Sequence, residues 1–324
     1  MTIWKSLPKP FFALAPMDDV TDTVFRQIVN KHAPADIYFT EFANADGMQS
    51  PGRDAVEKKL VLEKSDRPII AQIWGKNPEA YKVTARELAQ RGFDGIDINM
   101  GCPVRAVVKN GCCSALIEDR ELAGDLIDAT KEGIAESGID IPLSVKTRLG
   151  YSEVQTEDWC RWLLEKDIAA LTVHGRIAVE MSKFPADWGE IAKVAEMRNS
   201  IAPNTVVVGN GDVLSRAQGE ELARTSGVDG VMVGRGVFRD PWIFNPKMSS
   251  ESTPSMRIDM LLLHLQLWQQ TWSDEKNFEV MKKFFKMYIS EWEGSSRLRA
   301  DLMEAKSVDS VIDTLNKVKA DVGT

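Results

Sequence analysis

The sequence predicts an α/β protein in which a (β/α)8 TIM barrel is followed by a small C-terminal α-helical bundle. Eight short apolar, β-branched segments recur over about 240 residues, and helix-like stretches separate them, which is the size and rhythm of such a barrel. Most of these segments are unbroken apolar runs, typical of strands that are covered on both faces of a parallel sheet. Beyond Trp242 the apolar spacing is helical, without further strands.

The predicted elements alternate in chain order. The strands are expected at 11–15, 37–42, 69–74, 95–99, 143–147, 170–174, 206–210 and 231–234. Helices are expected at 21–31, 78–91, 119–136, 157–166, 188–197 and 216–226. The alternative, an open doubly wound sheet, places phosphate-binding glycines after its first strand. Ala15, Pro16 and Met17 occupy that position here, so the pattern favours the barrel.

A change of composition marks the end of the predicted barrel. The segment PKMSSESTPS at 246–255 has the Pro and Ser content of a linker. After it, apolar residues at helical spacing, such as Leu261, Leu265, Trp268 and Trp272, indicate a bundle of three or four helices. We therefore expect a barrel domain at 1–245, a linker at 246–255 and a helical domain at 256–324.

Composition limits the classes of function. The formal net charge of −8 argues against a protein coated in basic surface, so nucleic-acid binding would depend on a local patch. The chain has no apolar run of about 18 residues, and it has no apolar leader at its start, so we expect a cytoplasmic protein. Its four cysteines are too few for a disulfide scaffold. Since Cys102, Cys112 and Cys113 lack a fourth ligand at matching spacing, we expect no metal site.

Reactive groups of a barrel lie at the C-terminal ends of its strands. Glycines after strands seven and eight, with their polar neighbours, favour a phosphate site there, although glycine also ends many tight turns. Gln72, Lys146 and His174 end strands three, five and six and together suit the polar edge of a planar heterocycle such as a flavin. Taken singly, such a residue is also compatible with a structural role, as a buried core residue or as an exposed residue at a strand end. Cys102, between Gly101 and Pro103, follows strand four and is a candidate reactive thiol.

Several segments resemble the tRNA-dihydrouridine synthases. They are Ala-Pro-Met-x-x-Val-Thr-Asp at 15–22, Asp-Ile-Asn-Met-Gly-Cys-Pro at 97–103, Val-Lys-Thr-Arg at 145–148, His-Gly-Arg at 174–176, Asp-Trp at 187–188, Gly-Asn-Gly-Asp at 209–212 and Gly-Arg-Gly at 234–236. The resemblance covers roughly residues 11 to 242 in order and extends more weakly through the helical tail. It departs at Cys112 and Cys113, where relatives tend to have Gly or Ala.

The resemblance implies a flavin mononucleotide (FMN) enzyme that reduces the C5–C6 double bond of specific tRNA uridines, expected in the D-loop, with NADPH or NADH. Cys102 would be the catalytic acid, and Asn99 and Arg176 would contact the uracil. The cofactor-binding residues implied are Pro16, Met17, Asp18, Gln72, Lys146 and His174 along the flavin, and Asn210, Gly211, Asp212, Gly234 and Arg235 at its phosphate. A thiol with an ordinary pKa near 8.5 is protonated at neutral pH and can give its proton to C5.

The tail suggests how tRNA would be held. Six basic residues face three acidic ones within 276–299, and we expect this stretch to contact phosphates together with Arg105, Lys109 and Lys183. The aromatic residues of the stretch are expected to be mostly core. The protein is expected to be a monomer without an obligate protein partner and without membrane contact.

Three alternative functions stay open at this point. A flavin barrel that acts on a free dihydropyrimidine or dihydroorotate would not need the helical tail. A redox-inactive tRNA-binding protein would not need Cys102, Lys146 and His174 together. A flavin-free phosphate-binding isomerase would need a paired acid and base that the sequence does not offer.

Overall fold

A computed structural model of the protein describes residues 3–322. Within that span the strands are β1 (Phe11–Leu14), β2 (Tyr38–Phe39), β3 (Ala43–Asn44), β4 (Ile69–Trp74), β5 (Gly95–Met100), β6 (Leu143–Arg148), β7 (Ala170–His174), β8 (Val206–Asn210) and β9 (Gly230–Val233). All pairings between them are parallel.

The helices of the same span fall between the strands and after them. They are α1 (Ile3–Ser6), α2 (Thr23–His32), α3 (Ala45–Met48), α4 (Arg53–Glu57), α5 (Pro78–Gln90), α6 (Arg105–Val108), α7 (Arg120–Ser137), α8 (Arg161–Leu164), α9 (Trp188–Ile201), α10 (Arg216–Ser226), α11 (Gly236–Arg239), α12 (Pro246–Glu251), α13 (Pro254–Trp272), α14 (Lys282–Tyr288), α15 (Ser295–Glu304) and α16 (Val308–Val322). Short 3₁₀ turns occupy Lys58–Leu60, Lys64–Asp66, Cys113–Glu118, Ser273–Glu275 and Phe278–Met281.

The sheet closes into the predicted barrel. Its order is β1-β9-β8-β7-β6-β5-β4-β2, and β3 pairs with β4 beside this path. A parallel bridge between Ala13 and Ile37, with Leu14 N–H donating to the Ile37 carbonyl at 3.1 Å, joins β1 to the segment that enters β2. The (β/α)8 barrel is thereby confirmed.

Apolar side chains fill the barrel interior at the end opposite the C-terminal ends of the strands. Phe11, Phe39, Ile70 and Met232 come from different strands and are fully buried in one apolar cluster. Trp4 of α1, which the sequence pattern did not predict, contacts Phe11 and Phe39 at ring distances of 6.0 and 6.2 Å. Because this end is packed solid, the opposite end of the strands is left for polar groups.

Two predicted elements differ from the structure. The strand expected at 37–42 is only two residues long. The Thr40 backbone N–H still donates to the Ile70 carbonyl, and the separate strand β3 begins three residues later, at Ala43. The helix expected at 157–166 begins as a π-helical turn, Thr156–Cys160, before α8. In that turn the buried Trp159 indole donates to Thr147 Oγ1 at 2.8 Å, so packing onto β6 fixes the local geometry.

The chain forms two compact units. The first holds the residues up to Thr23, Ala35–Val213 and Ala217–Gly234. The second holds Val24–Pro34, Leu214–Arg216 and the chain from Arg235 onward. The second unit therefore includes most of α2 and residues 235–245, which the sequence assigned to the barrel, and part of the expected linker is helix α12.

Aromatic packing builds the second unit. Phe25 of α2 stacks on Phe284 of α14 at 5.4 Å and on Phe238 at 6.5 Å. His264 packs on Phe284 and accepts or donates a hydrogen bond at 2.9 Å with the buried Tyr288 hydroxyl. Phe284, Phe285 and Tyr288 are buried, so the expectation that these aromatic residues belong to the core is confirmed.

Among residues 3–322, no helix combines the length and the apolar character that crossing a bilayer requires.

Candidate active site

Buried side chains of the adjacent strands β4, β5 and β6 form one hydrogen-bonded network. Gln72 Nε2 donates to Asp97 at 2.7 Å, and Gln72 Oε1 accepts from Asn99 Nδ2 at 3.0 Å. Ser144 Oγ donates to the other Asp97 oxygen at 2.6 Å. Burial raises the pKa of Asp97 to about 6, against these two hydrogen bonds that favour its charge. The network holds the Gln72 amide rigid where the sequence places the edge of a heterocycle.

The loop that carries Cys102 is anchored to this network. Asn99 Oδ1 accepts from the backbone N–H groups of Gly101 and Cys102, both at 3.0 Å. Arg148 Nε donates to the Gly101 carbonyl at 2.7 Å from β6. The backbone on both sides of the Cys102 amide is therefore fixed, while its thiol remains partly exposed.

Three groups lower the pKa of Cys102 to about 7. The largest effect is a hydrogen bond from the Cys113 thiol, followed by the Val104 backbone N–H and the positive charge of Arg148. Burial of Cys102 opposes them. The ordinary thiol pKa expected from the sequence is thus replaced by a value near neutrality, where a group can both hold and release a proton.

Lys146 lies across the ladder from Asn99, its register partner on β5. Burial, reinforced by the charge of Arg148, lowers the pKa of Lys146 to about 8. Among the described residues, no hydrogen-bond acceptor pairs with its ammonium, although Asp97 and Cys102 attract it. A half-buried ammonium without a protein acceptor is a donor available to a ligand.

A second cluster forms at the ends of β7 and β8. Arg176 is 4% exposed, and its guanidinium contacts His174 Nε2 at 3.0 Å, donates to the Phe184 carbonyl and pairs with Asp212. Asp212 also accepts from the Ala186 N–H at 2.8 Å. His174 and Asp212 therefore both contact the Arg176 guanidinium. The predicted uracil contact of Arg176 stays a prediction, and the structure gives its guanidinium three protein partners.

The turn after β8 requires glycine. Gly211 has φ +133°, and a Cβ there would lie 2.5 Å from the Ala186 Cβ and 3.3 Å from the His174 ring. Gly209 is likewise covered by the Trp188 ring, whose Nε1 donates to the Gly211 carbonyl at 3.0 Å. The Asp-Trp and Gly-Asn-Gly-Asp segments are thus explained by close packing of these glycines against Ala186 and Trp188.

We expect Gly211→Ala to destabilise the fold by about 2 kcal/mol or more, because it adds both backbone strain and a steric clash. Thermal unfolding of the variant measures the loss. Gly138→Ala is the matched control, since its φ is +73° but no atom lies within 4 Å of the added Cβ. It should cost only the strain, about 1 kcal/mol. Equal losses in the two variants would show that the close approach at Gly211 is unimportant.

Residues after β1 and β9 meet on the remaining side. Gly234 lies against Met17, whose Sδ would be 3.7 Å from an added Cβ. The turn at Met17 is fixed by its N–H, which donates to Thr21 Oγ1 at 2.9 Å. Asp18 is ion-paired with Lys59. Of the predicted cofactor residues, Met17 and Gly234 therefore lie side by side.

Two residues predicted at the phosphate, Asn210 and Arg235, are not part of the clusters described above. The Asn210 amide is buried and donates to the Met232 carbonyl at 2.8 Å, so it joins β8 to β9. Arg235 follows Gly234 in the chain and belongs to the second unit. The carboxylates of Asp18, Asp19 and Glu41 lie within 4.8 Å of one another on the first unit.

Sequence reasoning missed three residues of the site. Asp97 was visible within a matching motif, but its pairing with Gln72 depends on strand register. Arg148 also donates to the Met181 carbonyl at 2.9 Å, so it ties the loop after β7 to the Cys102 loop. No role was predicted for Cys113 from the sequence. Its position beside Cys102 depends on a turn with a left-handed Cys113, which the sequence does not predict.

The chain is similar to known proteins over nearly its whole length. The family model described as "Dihydrouridine synthase (Dus)" matches residues 13–322. "Probable tRNA-dihydrouridine synthase" of Staphylococcus aureus (strain COL) is 43% identical over 320 residues, covering 98% of this chain and 95% of that protein. "Probable tRNA-dihydrouridine synthase 2" of Bacillus subtilis (strain 168) is 42% identical over 313 residues, covering 95% and 94%.

A solved structure of a morphinone reductase variant in complex with tetrahydroNAD resembles the fold with a TM-score of 0.50. It is 14% identical and covers 76% of this chain and 88% of the reductase. This likeness supports the barrel architecture alone.

Proposed function

The chain belongs to the dihydrouridine synthase family, and on that premise we propose how its residues divide the reaction. The protein is an FMN-dependent tRNA-dihydrouridine synthase that reduces the C5–C6 double bond of tRNA uridines with NADPH or NADH. Two observations carry the division of roles: the Cys102 backbone is held rigidly while its thiol is partly exposed, and the Lys146 ammonium has no hydrogen-bond acceptor among residues 3–322.

The donor set at this end suits FMN. The Gln72 amide, the Lys146 ammonium and the His174 ring come from neighbouring parts of the sheet and match the polar edge of an isoalloxazine. Gly211 and Gly234 follow the paired strands β8 and β9, where backbone amides are proposed to hold the phosphate. When bound there in its reduced form, FMN would supply the hydride that adds to C6 of the uracil. Pro16, Met17, Asp18, Asn210, Asp212 and Arg235 are proposed to complete the cofactor site.

Cys102 supplies the proton. Addition at C6 places negative charge on C5 and O4 of the uracil, so an acid is needed at C5 and a donor at O4. The thiol of Cys102 gives its proton to C5 from the face opposite the hydride. Asn99 holds the backbone that carries the thiol, and its remaining amide hydrogen, with Lys146, is proposed to stabilise the oxygen.

We expect tRNA reduction to slow as the pH rises through about 7. Below its pKa Cys102 carries the proton that C5 needs, and above it the group is a thiolate that cannot serve as an acid. Anaerobic oxidation of the reduced enzyme by tRNA, followed across pH, measures the midpoint. Cys113→Ala removes the hydrogen bond that favours the thiolate, so its midpoint should move to higher pH. An unmoved midpoint would contradict the contact.

The helical unit is proposed to bind tRNA phosphates. Lys286 of α14 and Arg297 of α15 are exposed, whereas Lys282 is tied to Glu279 and Lys276 stacks on the Trp272 ring at 3.8 Å. Fewer basic side chains are therefore available to tRNA than the six that the sequence places within 276–299. Arg105, Lys109 and Lys183 are exposed on the first unit and are each proposed to contact tRNA phosphates there.

We expect the double variant Lys286→Glu, Arg297→Glu to bind tRNA more weakly and with a log–log salt slope smaller by about 2, one for each phosphate contact. Filter binding at several salt concentrations measures the slope. Arg224→Glu is the control. Arg224 is exposed near the C-terminal end of α10, the helix that leads into the N-terminal end of β9. A salt slope that does not change would place the tRNA surface elsewhere. Deletion of the tail is a poorer test, because Phe25 packs on Phe284.

One assay tests the proposed function itself. Purified protein with FMN and NADPH should raise the mass of a uridine in tRNA from a deletion strain by two hydrogens and leave free uracil and orotate unchanged. Turnover of the free bases instead of tRNA would favour the small-molecule alternative. Binding of tRNA without any reduction would favour the redox-inactive one. We further propose that the protein acts as a monomer in the cytoplasm, and that the barrel and the helical tail divide catalysis and tRNA binding between them.

A further inference from the structure

Two thiols meet at the active site, and the proposed chemistry uses only one of them. Cys102 is partly exposed, while Cys113 is fully buried and donates a hydrogen bond to the Cys102 sulfur. The two backbones are also joined, since Ser114 N–H donates to the Cys102 carbonyl at 3.3 Å. An accessible thiol beside a buried one is the arrangement of a sensing cysteine and its resolving partner.

The backbone of Cys113 supports a specific role. Its φ is +55°, in the left-handed region that residues other than glycine seldom adopt. Such conformations persist where surrounding contacts hold them and are concentrated at functional sites. Gly111, two residues earlier, adopts a left-handed φ of +78° with no atom within 4 Å of an added Cβ, so the turn that leads to Cys113 is not crowded at this glycine.

Cys112 is a poorer partner for Cys102. Its thiol donates to the Asn110 carbonyl at 3.7 Å, within its own turn. The charged groups that act on it are Asp46 and Lys76, not Cys102. Cys112 therefore serves as the matched control for Cys113, from which it is one residue away.

We propose that Cys102 and Cys113 form a reversible disulfide when the protein meets hydrogen peroxide, which switches off the catalytic thiol. The Cys102 thiolate attacks one peroxide oxygen, the O–O bond breaks, and the departing hydroxide takes a proton to become water. Cys102 is then a sulfenic acid. The Cys113 sulfur attacks the Cys102 sulfur, the S–O bond breaks and a second water leaves. Two thiols have lost two electrons and two protons, and one peroxide has become two waters.

This cross-link protects as well as inhibits. The Cys102 thiolate is accessible and is stabilised near neutral pH, which makes it prone to oxidation beyond the sulfenic state. A resolving thiol in contact captures the sulfenic acid first, and a dithiol reductant then restores both cysteines. Only the loss of activity on oxidation rests on the proposed function. The Cys102–Cys113 disulfide itself would form whatever reaction the enzyme catalyses.

The sequence allows a clean mass measurement. Arg105 and Lys109 lie between the two cysteines, so trypsin separates Cys102 from the peptide that holds Cys112 and Cys113. Holoenzyme treated with peroxide, alkylated and digested without reductant should yield the two peptides joined, with two hydrogens lost. Cys112→Ser and the control Cys160→Ala, which removes a buried thiol elsewhere, should retain the cross-link. Cys113→Ser, checked for a native flavin spectrum, should lose it.

Activity provides the second measurement. Peroxide should reduce tRNA reduction about tenfold or more in both the wild type and Cys113→Ser, but dithiothreitol should restore only the wild type. A cross-link that survives in Cys113→Ser, or a wild type that gives only higher oxides of Cys102, would overturn the proposal. A mapped Cys102–Cys113 bond with full activity would uphold the cross-link and refute the catalytic role of Cys102.

Discussion

Cys102→Ala is expected to bind FMN and tRNA as the wild type does and to reduce tRNA uridine about 10²–10⁴ times more slowly, the usual contribution of a general acid. The loop should keep its shape, because Asn99 and Arg148 hold backbone atoms of Gly101 and of residue 102 and not the thiol. Single-turnover oxidation of the reduced enzyme by tRNA isolates this step from the reaction with NADPH.

Cys160→Ala is the matched control for the Cys102 variant. Cys160 is fully buried, and burial raises its pKa to about 12, so it cannot exchange protons near neutrality. Its loss should leave the tRNA-dependent rate close to the wild-type value. If Cys102→Ala turned over at the rate of this control, another group would have to protonate C5.

Lys146→Met is expected to weaken FMN retention and to slow tRNA reduction by about 10²–10³, the effect of removing one donor from a developing oxyanion. The reason is that its ammonium has no acceptor among the described residues and lies close to Cys102 and Asp97. Visible absorbance of the purified variant measures bound flavin, and single-turnover oxidation at saturating FMN measures the rate.

Stability separates a ligand role of Lys146 from a structural one. Since folding lowers the pKa of Lys146 to about 8, the folded state disfavours its charge at neutral pH, and an apolar side chain should leave the flavin-free protein at least as stable. Lys131→Met removes an ammonium that donates to the Lys166 carbonyl at 2.6 Å and should alter neither flavin nor rate. A Lys146→Met protein that retains FMN and the full rate would contradict the assignment.

The barrel was predictable because its strands carry the signal themselves. The segments at 170–174 and 206–210 appear as strands with the expected bounds, since both faces are buried and most of their residues are apolar or small. The strand at 37–42 was overestimated, because nothing in its composition shows where the chain turns into β3. The place of α2 was also beyond the sequence, since Phe25 acquires its role only by stacking on Phe284, some 260 residues away in the chain.

The site was predictable in position and less so in chemistry. Motifs at the strand ends located Gln72, Cys102, Lys146 and His174, because parallel strands must end together. The pKa of Cys102 could not be predicted, since it depends on a hydrogen bond from Cys113 across a turn with a left-handed residue. The structure adds Asp97 and Arg148 through contacts set by strand register and by side-chain reach.

The stereochemistry of the product tests most directly how the uracil is held. Reduction of tRNA in D₂O, with hydride delivered from a nicotinamide of known isotope, labels C5 from the solvent-exchanged thiol and C6 from the cofactor. Nuclear magnetic resonance of the isolated dihydrouridine should show the two new hydrogens on opposite faces of the ring, as a cysteine across from the flavin requires. Both hydrogens on the same face would mean that the C5 proton comes from the flavin side and that Cys102 is not its donor.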